Sequence, residues 1–136
     1  MRMRNKEEAM PFDLSLLIVD EIIARARAFH AKEGVVFPEN VNESSEEDFQ
    51  QILADHQNDL TYRELKEAIN NLEPDQQMQL VALMYLGRGD FSDWEESFAE
   101  AEAGWTNRTA EYLLSKPQLA DYLEAGLDAM GYRREG

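Results

Sequence analysis

The stretch that decides the fold runs from Pro74 to Leu86 and reads PDQQMQLVALMYL. Pro74 suits the first turn of a helix, where its missing N–H leaves no hydrogen bond unmade. With about 100° between successive residues, apolar side chains cover most of the circumference of this segment. A helix of that kind is normally enclosed by other helices. The stretch therefore predicts a buried central helix over residues 74–86.

Outward from this helix, apolar residues recur with helical spacing in both directions, and no run alternates with the period of a strand. The spacing predicts a long N-terminal helix over about residues 13–32. After the central helix it predicts further helices at about 93–103, 106–114 and 117–130. With one helix before the centre at about 61–72, the pattern indicates an all-α, single-domain bundle of about six helices.

Capping residues and glycines mark the predicted helix ends. Thr61 and Glu64 have the spacing of a capping box, which predicts that a helix begins with Thr61 as its N-cap. Gly87 suits the left-handed conformation that ends a helix, so the central helix is predicted to end there. Gly126 lies within an apolar stripe, where glycine costs up to about 1 kcal/mol in helix propensity. We expect its compensation to be a second helix packed closely against the bare backbone.

The segment between the first and second of these helices has a different composition. Residues 35–60 combine a short apolar anchor with a polar, acidic stretch, and we expect an irregular connector there. Within it, a short helix is predicted over 46–56, with an inward face formed by Phe49, Ile52 and Leu53. The domain itself is predicted to span residues 13–131, preceded by a flexible arm at 1–12 and followed by a tail at 132–136.

Charge and cysteine content exclude several classes of function. The chain has 136 residues, with 28 acidic and 13 basic side chains and a formal net charge of −15. Direct nucleic-acid binding is nearly excluded, because it needs a basic footprint for the phosphates. The absence of cysteine excludes disulfides, thiolate metal sites and a cysteine nucleophile. No apolar run is long enough for a signal peptide or a membrane span, so we expect a cytoplasmic protein without membrane contact.

Two stretches resemble a known family. LVALMYLGRGD at residues 80–90, followed by Trp94, resembles the signature of a bacterial family of uncharacterised proteins, domain-of-unknown-function family 3775. TAEYLL at 109–114 and PQLADYLEAGL at 117–127 are similar to its C-terminal stretch. The resemblance covers about residues 61–131 and implies a small, mostly helical domain. The family has no established activity, so the resemblance implies no catalytic role for any residue.

Histidines and carboxylates do not form a recognisable metal motif. His30 falls at the edge of an apolar helix face, which is typical of a satisfied core histidine. His56 lies near the end of the short predicted helix, where the helix dipole favours it. Neither has the Glu-x-x-His or zinc-protease spacing, so we predict no metal and no cofactor. The carboxylates of Asp90, Asp93, Glu96 and Glu100 have the chemistry of a cation or acid–base site, but a solvated helix face is the favoured interpretation.

The best site candidate is the corner formed by Gly87, Arg88, Gly89 and Asp90, which Asp93 and Trp94 follow. In a functional interpretation, the Arg88 fork binds a carboxylate or phosphate beside Trp94 or Tyr85. In a structural interpretation, the corner is a tight helix-to-helix turn, with Arg88 bonded to Asp90 or to helix-end carbonyls. The structural interpretation is favoured.

Three functional hypotheses follow from these features. The preferred one is a non-catalytic protein–protein interaction or regulatory module whose acidic surface binds a basic protein partner, with a nucleic-acid mimic as a special case. The alternative is a small-ligand-binding or enzymatic domain that uses the Gly87–Asp90 corner with Trp94. A homodimer is the third, because Leu14 and Leu17 fall outside the main apolar face of the first helix and either staple its start or contact a second subunit.

Overall fold

The central helix of the computed structural model spans Pro74–Arg88, and five other helices have both ends within the described residues, which are 14–31, 54 and 58–132. No strand occurs in this part of the chain. In chain order the six helices are α1 (Leu16–Ala31), α2 (Leu60–Asn70), α3 (Pro74–Arg88), α4 (Trp94–Ala103), α5 (Thr109–Leu114) and α6 (Leu119–Ala129). The predicted all-α bundle is confirmed.

Helix α3 lies in the middle of the fold. Leu80, Ala82, Leu83 and Met84 are wholly buried, and even the polar residues Gln77 and Gln79 of its first half are buried. Its main neighbours are α6 and α4. The prediction of a central helix enclosed by others is therefore confirmed.

Helix α1 supplies a second part of the core. Its buried face consists of Val19, Ile22, Ile23, Ala26 and Phe29, and it packs against α2 and α6. The Ser15 hydroxyl caps the helix by accepting the backbone N–H groups of Leu17 (3.0 Å) and Ile18 (3.2 Å). Leu14 just before this cap is 1% exposed, so it belongs to the core of its own chain, at the position of a hydrophobic staple. Leu17 remains 77% exposed.

The predicted capping box at the start of α2 is wrong. Asp59 is the N-cap, and its carboxylate accepts both the backbone N–H of Thr61 (2.9 Å) and the Thr61 hydroxyl (2.7 Å). Glu64 does not reach back to the helix start, because it accepts a hydrogen bond from Arg25 of α1 (3.0 Å). The Asp59 carboxylate, two residues before Thr61, caps the helix instead. Glu64 is not available for capping because it forms an ion pair with Arg25 of α1.

The predicted roles of the two glycines have opposite outcomes. Gly126 lies where a Cβ atom would be 2.4 Å from the Leu83 carbonyl oxygen, so the expected close approach of a second helix is confirmed. Gly87 does not end α3, because the helix continues to Arg88 and Gly89 takes the left-handed conformation (φ 86°). A Cβ atom on Gly87 would lie 1.8 Å from the Tyr122 carbonyl oxygen. Both glycines therefore form the crossing of α3 and α6.

Several predictions fall on residues that the structure does not describe. These are the arm at 1–12, the body of the connector at 35–60 with its 46–56 helix, and the end of the tail at 133–136. Tyr132, the first residue of the predicted tail, is buried (8% exposed). Its backbone N–H donates to the Leu127 carbonyl at 2.8 Å, which completes the C-terminal turn of α6.

Candidate functional site

The predicted corner is a helix-ending turn. The Gly89 backbone N–H donates to Leu86 O (3.2 Å), and that of Asp90 donates to Tyr85 O (3.1 Å). These two bonds form a Schellman motif around the left-handed Gly89. Asp90 is thereby brought back beside the last residue of α3. These backbone hydrogen bonds set the geometry of the corner.

Arg88 is paired within this turn. Its Nε and Nη2 groups donate to the same oxygen of Asp90, at 2.9 and 2.7 Å. The guanidinium carbon also lies 5.6 Å from the ring centre of Tyr85 and 5.8 Å from that of Tyr122. Such distances are typical of cation–π contacts. The favoured structural interpretation, a turn held by Arg88 and Asp90, matches this arrangement.

Partial burial shifts the pKa values in this cluster. Burial works to lower the pKa of Arg88, but the hydrogen bond and charge of Asp90 raise it, and the resulting pKa lies above its ordinary value. The hydroxyls of Tyr85 and Tyr112 lie 3.3 Å apart. Burial raises the pKa of Tyr85, and the hydrogen bond to Tyr112 adds to this effect. At neutral pH the cluster therefore holds the Arg88 cation beside the neutral phenol of Tyr85.

Asp93 and Trp94 have other contacts. The Asp93 carboxylate caps α4 by accepting the Glu96 backbone N–H at 2.9 Å. The Trp94 ring is half-buried and stacks with Phe98, with ring centres 6.1 Å apart and planes 28° apart. Of the four predicted site residues, the structure directly pairs Arg88 with Asp90. Asp93 and Trp94 organise the start of the next helix.

The tyrosines around Arg88 could not be found from the local sequence. Tyr112 and Tyr122 lie on α5 and α6, far along the chain from the corner. One signal was available for Tyr122: it lies one helical turn before Gly126, on the side that the glycine brings close to α3. The predicted close approach at Gly126 therefore implied that Tyr122 would lie near a second helix, but it did not identify that helix as α3.

Helix α4 and the turn before it carry a dense group of exposed carboxylates. Asp90, Asp93, Glu95, Glu96, Glu100 and Glu102 are all exposed, and no lysine or arginine lies between residues 90 and 102. In the described part of the chain, no ion pair holds any of the four α4 glutamates. By contrast, α1 has two acids, Asp20 and Glu21, and two bases, Arg25 and Arg27.

An aromatic edge runs beside these carboxylates. Trp94 and Phe98 are half-buried and one helical turn apart. Glu95 and Glu102 lie three residues before and four residues after Phe98, which places them next to it on the helix surface. Glu96 and Glu100 fall on the other side of the helix. We call the set Asp90, Asp93, Trp94, Glu95, Phe98 and Glu102 the acidic α4 surface.

Two shallow grooves lie away from this corner. One, of about 270 Å³, lies between α1 and α2. The other, of about 310 Å³, lies between α1 and the start of α6 and includes His30. Neither is lined by Arg88, Asp90, Asp93 or Trp94.

His30 has the character of a core histidine. Its Nε2 lies 3.0 Å from the Leu114 carbonyl, and burial lowers its pKa. His56 lies outside the described residues. Over 14–31, 54 and 58–132, no three His, Cys, Asp or Glu side chains are grouped as metal ligands. The helices in these same ranges include none with the length and hydropathy needed to cross a bilayer.

Comparison with known proteins gives one match. Neither curated proteins nor solved structures yielded a similar chain. The sequence model of DUF3775, described as a protein of unknown function, matches residues 62–132, just over half of the 136 residues. The match begins inside α2, ends after α6, and includes all four predicted site residues. It agrees with the resemblance over residues 61–131, and the chain therefore belongs to the DUF3775 family.

Proposed function

We propose that this protein is a non-catalytic interaction module that binds a basic protein partner through the acidic α4 surface. The observation that carries the proposal is the group of six exposed carboxylates between residues 90 and 102, with no basic residue among them; four of the six belong to the acidic α4 surface. Among the ion pairs of the described residues, one involves this group, that of Asp90 with Arg88. The remaining carboxylates produce a local negative potential on top of a net charge of −15.

This potential attracts a basic partner and accelerates its encounter with the surface. Charge alone gives little specificity. We infer that the aromatic edge adds specificity for a particular partner. The half-exposed rings of Trp94 and Phe98 offer apolar area, and Phe98 offers a ring on which an arginine of the partner can pack. Glu95 and Glu102, beside the rings, are in position to pair with its guanidinium.

Arg88 has a positioning role in this proposal. Its pair with Asp90 fixes the turn between α3 and α4, and so sets the direction in which α4 presents its carboxylates. This arrangement favours an interaction role over the small-ligand alternative, because two donors of Arg88 are already bound to Asp90. A ligand carboxylate would have to displace an internal partner in a strongly negative region.

The experiment measures binding of an arginine-rich peptide to the full chain by fluorescence anisotropy. We expect the affinity to fall steeply between about 50 mM and about 500 mM salt, because screening weakens exposed charge pairs. The double variant E95Q/E102Q should bind more weakly than E96Q/E100Q. The two variants lose the same charge from the same helix, so a difference reports the position of the surface.

Two results would contradict the proposal. Affinity that does not change with salt would show that charge does not drive association. Equal weakening by the two double variants would show that net charge matters and that the aromatic edge does not.

A further inference from the structure

A second surface, on the opposite side of α1 from its buried face, has a different character. Its residues are all exposed and follow one stripe of the helix: Leu17, Glu21, Ala24, Ala28 and Ala31. Leu17 is 77% exposed, and Leu60 at the start of α2 is 59% exposed; these are the large exposed hydrophobic residues of the described chain. We call this stripe together with Leu60 the α1 outer face. Apart from Glu21, which pairs with Arg25, this stripe is apolar, and the core of the chain covers only the opposite side of α1.

The spacing along the stripe is that of a helix-pairing seam. Successive members are separated by four, three, four and three residues, which is the a/d alternation of a heptad repeat. Ala24 is at the centre. An alanine there lets a second helix approach closely, and a leucine at the end fills the space that widens as two helices diverge.

Leu60 marks the other end of the same face. Arg25 pairs with Glu64 at 3.0 Å, and the rings of Phe29 and Tyr62 are 5.8 Å apart. A later residue of α1 thus meets an earlier residue of α2, so the two helices are antiparallel. Leu60 therefore lies near the C-terminal half of α1, whereas Leu17 lies in its first turn.

A groove follows the middle of this face. Glu21, Ala24, Arg25 and Ala28 of α1 and Thr61 and Glu64 of α2 line it, with a volume of about 270 Å³. Leu17 and Leu60 consequently lie towards opposite ends of a strip whose centre is shallow, with alanines on its α1 side and the paired charges of Arg25, Glu21 and Glu64 beside them.

The charged groups that line the groove are paired with one another. Arg27 and Lys66 do not line it, and they bind carboxylates of α6 and α5. Arg25 binds both Glu21 and Glu64. In contrast, α4 has four glutamates and no base. A second copy of a chain with net charge −15 is repelled less at this face than at the acidic α4 surface, whose glutamates have no base beside them on that helix.

We propose that the α1 outer face binds a second copy of this chain, in a twofold arrangement with its axis near Ala24. A twofold axis at that point reverses the direction of α1, so Leu17 of one copy meets the end marked by Leu60 of the partner subunit. Each leucine then covers the apolar end that the other leaves exposed. Such an isologous interface is the commonest form of closed assembly.

Light scattering coupled to gel filtration tests the assembly on the full chain. We expect a dimer at about 100 µM that becomes more populated at higher salt, because screening removes the net repulsion between copies. Ala24→Glu should give a monomer. Ala99→Glu is the matched control, since it adds the same charge at an exposed alanine of α4, and it should remain a dimer.

Cysteine cross-linking tests the position of the axis. The chain contains no cysteine, so Ala24→Cys introduces a single thiol. Under mild oxidation it should form a dimer linked by a disulfide, whereas Ala99→Cys should not. Thiol labelling of Ala24→Cys then reports whether the face is open in any monomer.

Several outcomes would overturn this proposal. A wild-type chain that stays monomeric at low and at high salt would contradict it. Slow thiol labelling of Ala24→Cys in that monomer would show that another part of the same chain covers the α1 outer face. A dimer that survives Ala24→Glu would place the interface elsewhere. The proposed function can fail independently, because salt is expected to weaken binding of a basic partner and to strengthen self-association.

Discussion

His30 is a residue through which we expect the stability of the fold to depend on pH. It lies in the last turn of α1, and its Nε2–H donates to the carbonyl of Leu114, the last residue of α5. Burial lowers its pKa below the ordinary value of 6.5, and the hydrogen bond to Leu114 only partly opposes this shift. The folded protein therefore keeps the ring neutral at pH values where the unfolded chain already binds a proton.

The first prediction concerns this proton. The contribution of neutral His30 to the free energy of unfolding is complete above about pH 6.5 and falls as the pH drops towards its lowered pKa in the folded state. His30→Gln keeps a donor for Leu114 but does not titrate. Urea unfolding of both proteins between about pH 5 and pH 8 should show the wild type losing more stability on acidification. Parallel pH profiles would show that burial of His30 has no such effect.

At the scale of elements, the contact between α3 and α6 depends on two missing side chains. Gly87 lies against the backbone of Tyr122, and Gly126 lies against the backbone of Leu83. On α3, Gly87 is one helical turn after Leu83, which Gly126 contacts. On α6, Gly126 is one helical turn after Tyr122, which Gly87 contacts. The two backbones therefore touch directly at the two glycines, which we call the notch glycines. The large apolar residues on either side of this contact then pack into a continuous core.

The second prediction is that either notch glycine tolerates no side chain. Gly87→Ala and Gly126→Ala would place a Cβ atom 1.8 Å and 2.4 Å from backbone carbonyl oxygens, so the helices must separate. We expect each variant to lose at least about 2 kcal/mol of unfolding free energy in denaturant titrations. Gly104→Ala is the control, because its nearest neighbour would be at 3.6 Å and its φ of −99° suits any residue.

That control should change stability by less than about 1 kcal/mol. If Gly87→Ala were as stable as Gly104→Ala, the two helices would not be held as closely as the structure has them.

At the scale of the whole molecule, the folded unit is larger than the segment that defines the family. The family match begins at residue 62 and leaves α1 outside. Yet Val19, Ile22, Ile23, Ala26 and Phe29 of α1 are buried in the same core as α2 and α6. Arg27 also binds Asp121 (3.1 Å) and Glu124 (2.8 Å) on α6. Without α1, one side of the core would be open to water.

The third prediction follows from this open side. A chain that begins at residue 58 should lose its cooperative thermal transition and bind a dye specific for exposed apolar surface, because the α1 face buries several large side chains. A chain lacking only the predicted arm, residues 1–12, should keep the transition. Circular dichroism in the aromatic region is a suitable measurement, since Trp94 and Trp105 remain in both truncated chains. A cooperative transition in the shorter chain would mean that residues 58–136 fold alone.

The sequence by itself determined the helical class, the central helix and the close approach at Gly126, because periodicity and glycine placement are local properties of a segment. It also identified both members of the Arg88–Asp90 pair, since they are two residues apart. Other features were decided only in three dimensions: Gly87 as a contact and not a helix end, Glu64 as a partner of Arg25, the tyrosines around Arg88, and the burial of Leu14 but not of Leu17. Each of these depends on atoms from distant parts of the chain meeting within a few ångströms. Local spacing shows which side of a helix is apolar, but the packing of the other helices decides which of its residues are covered.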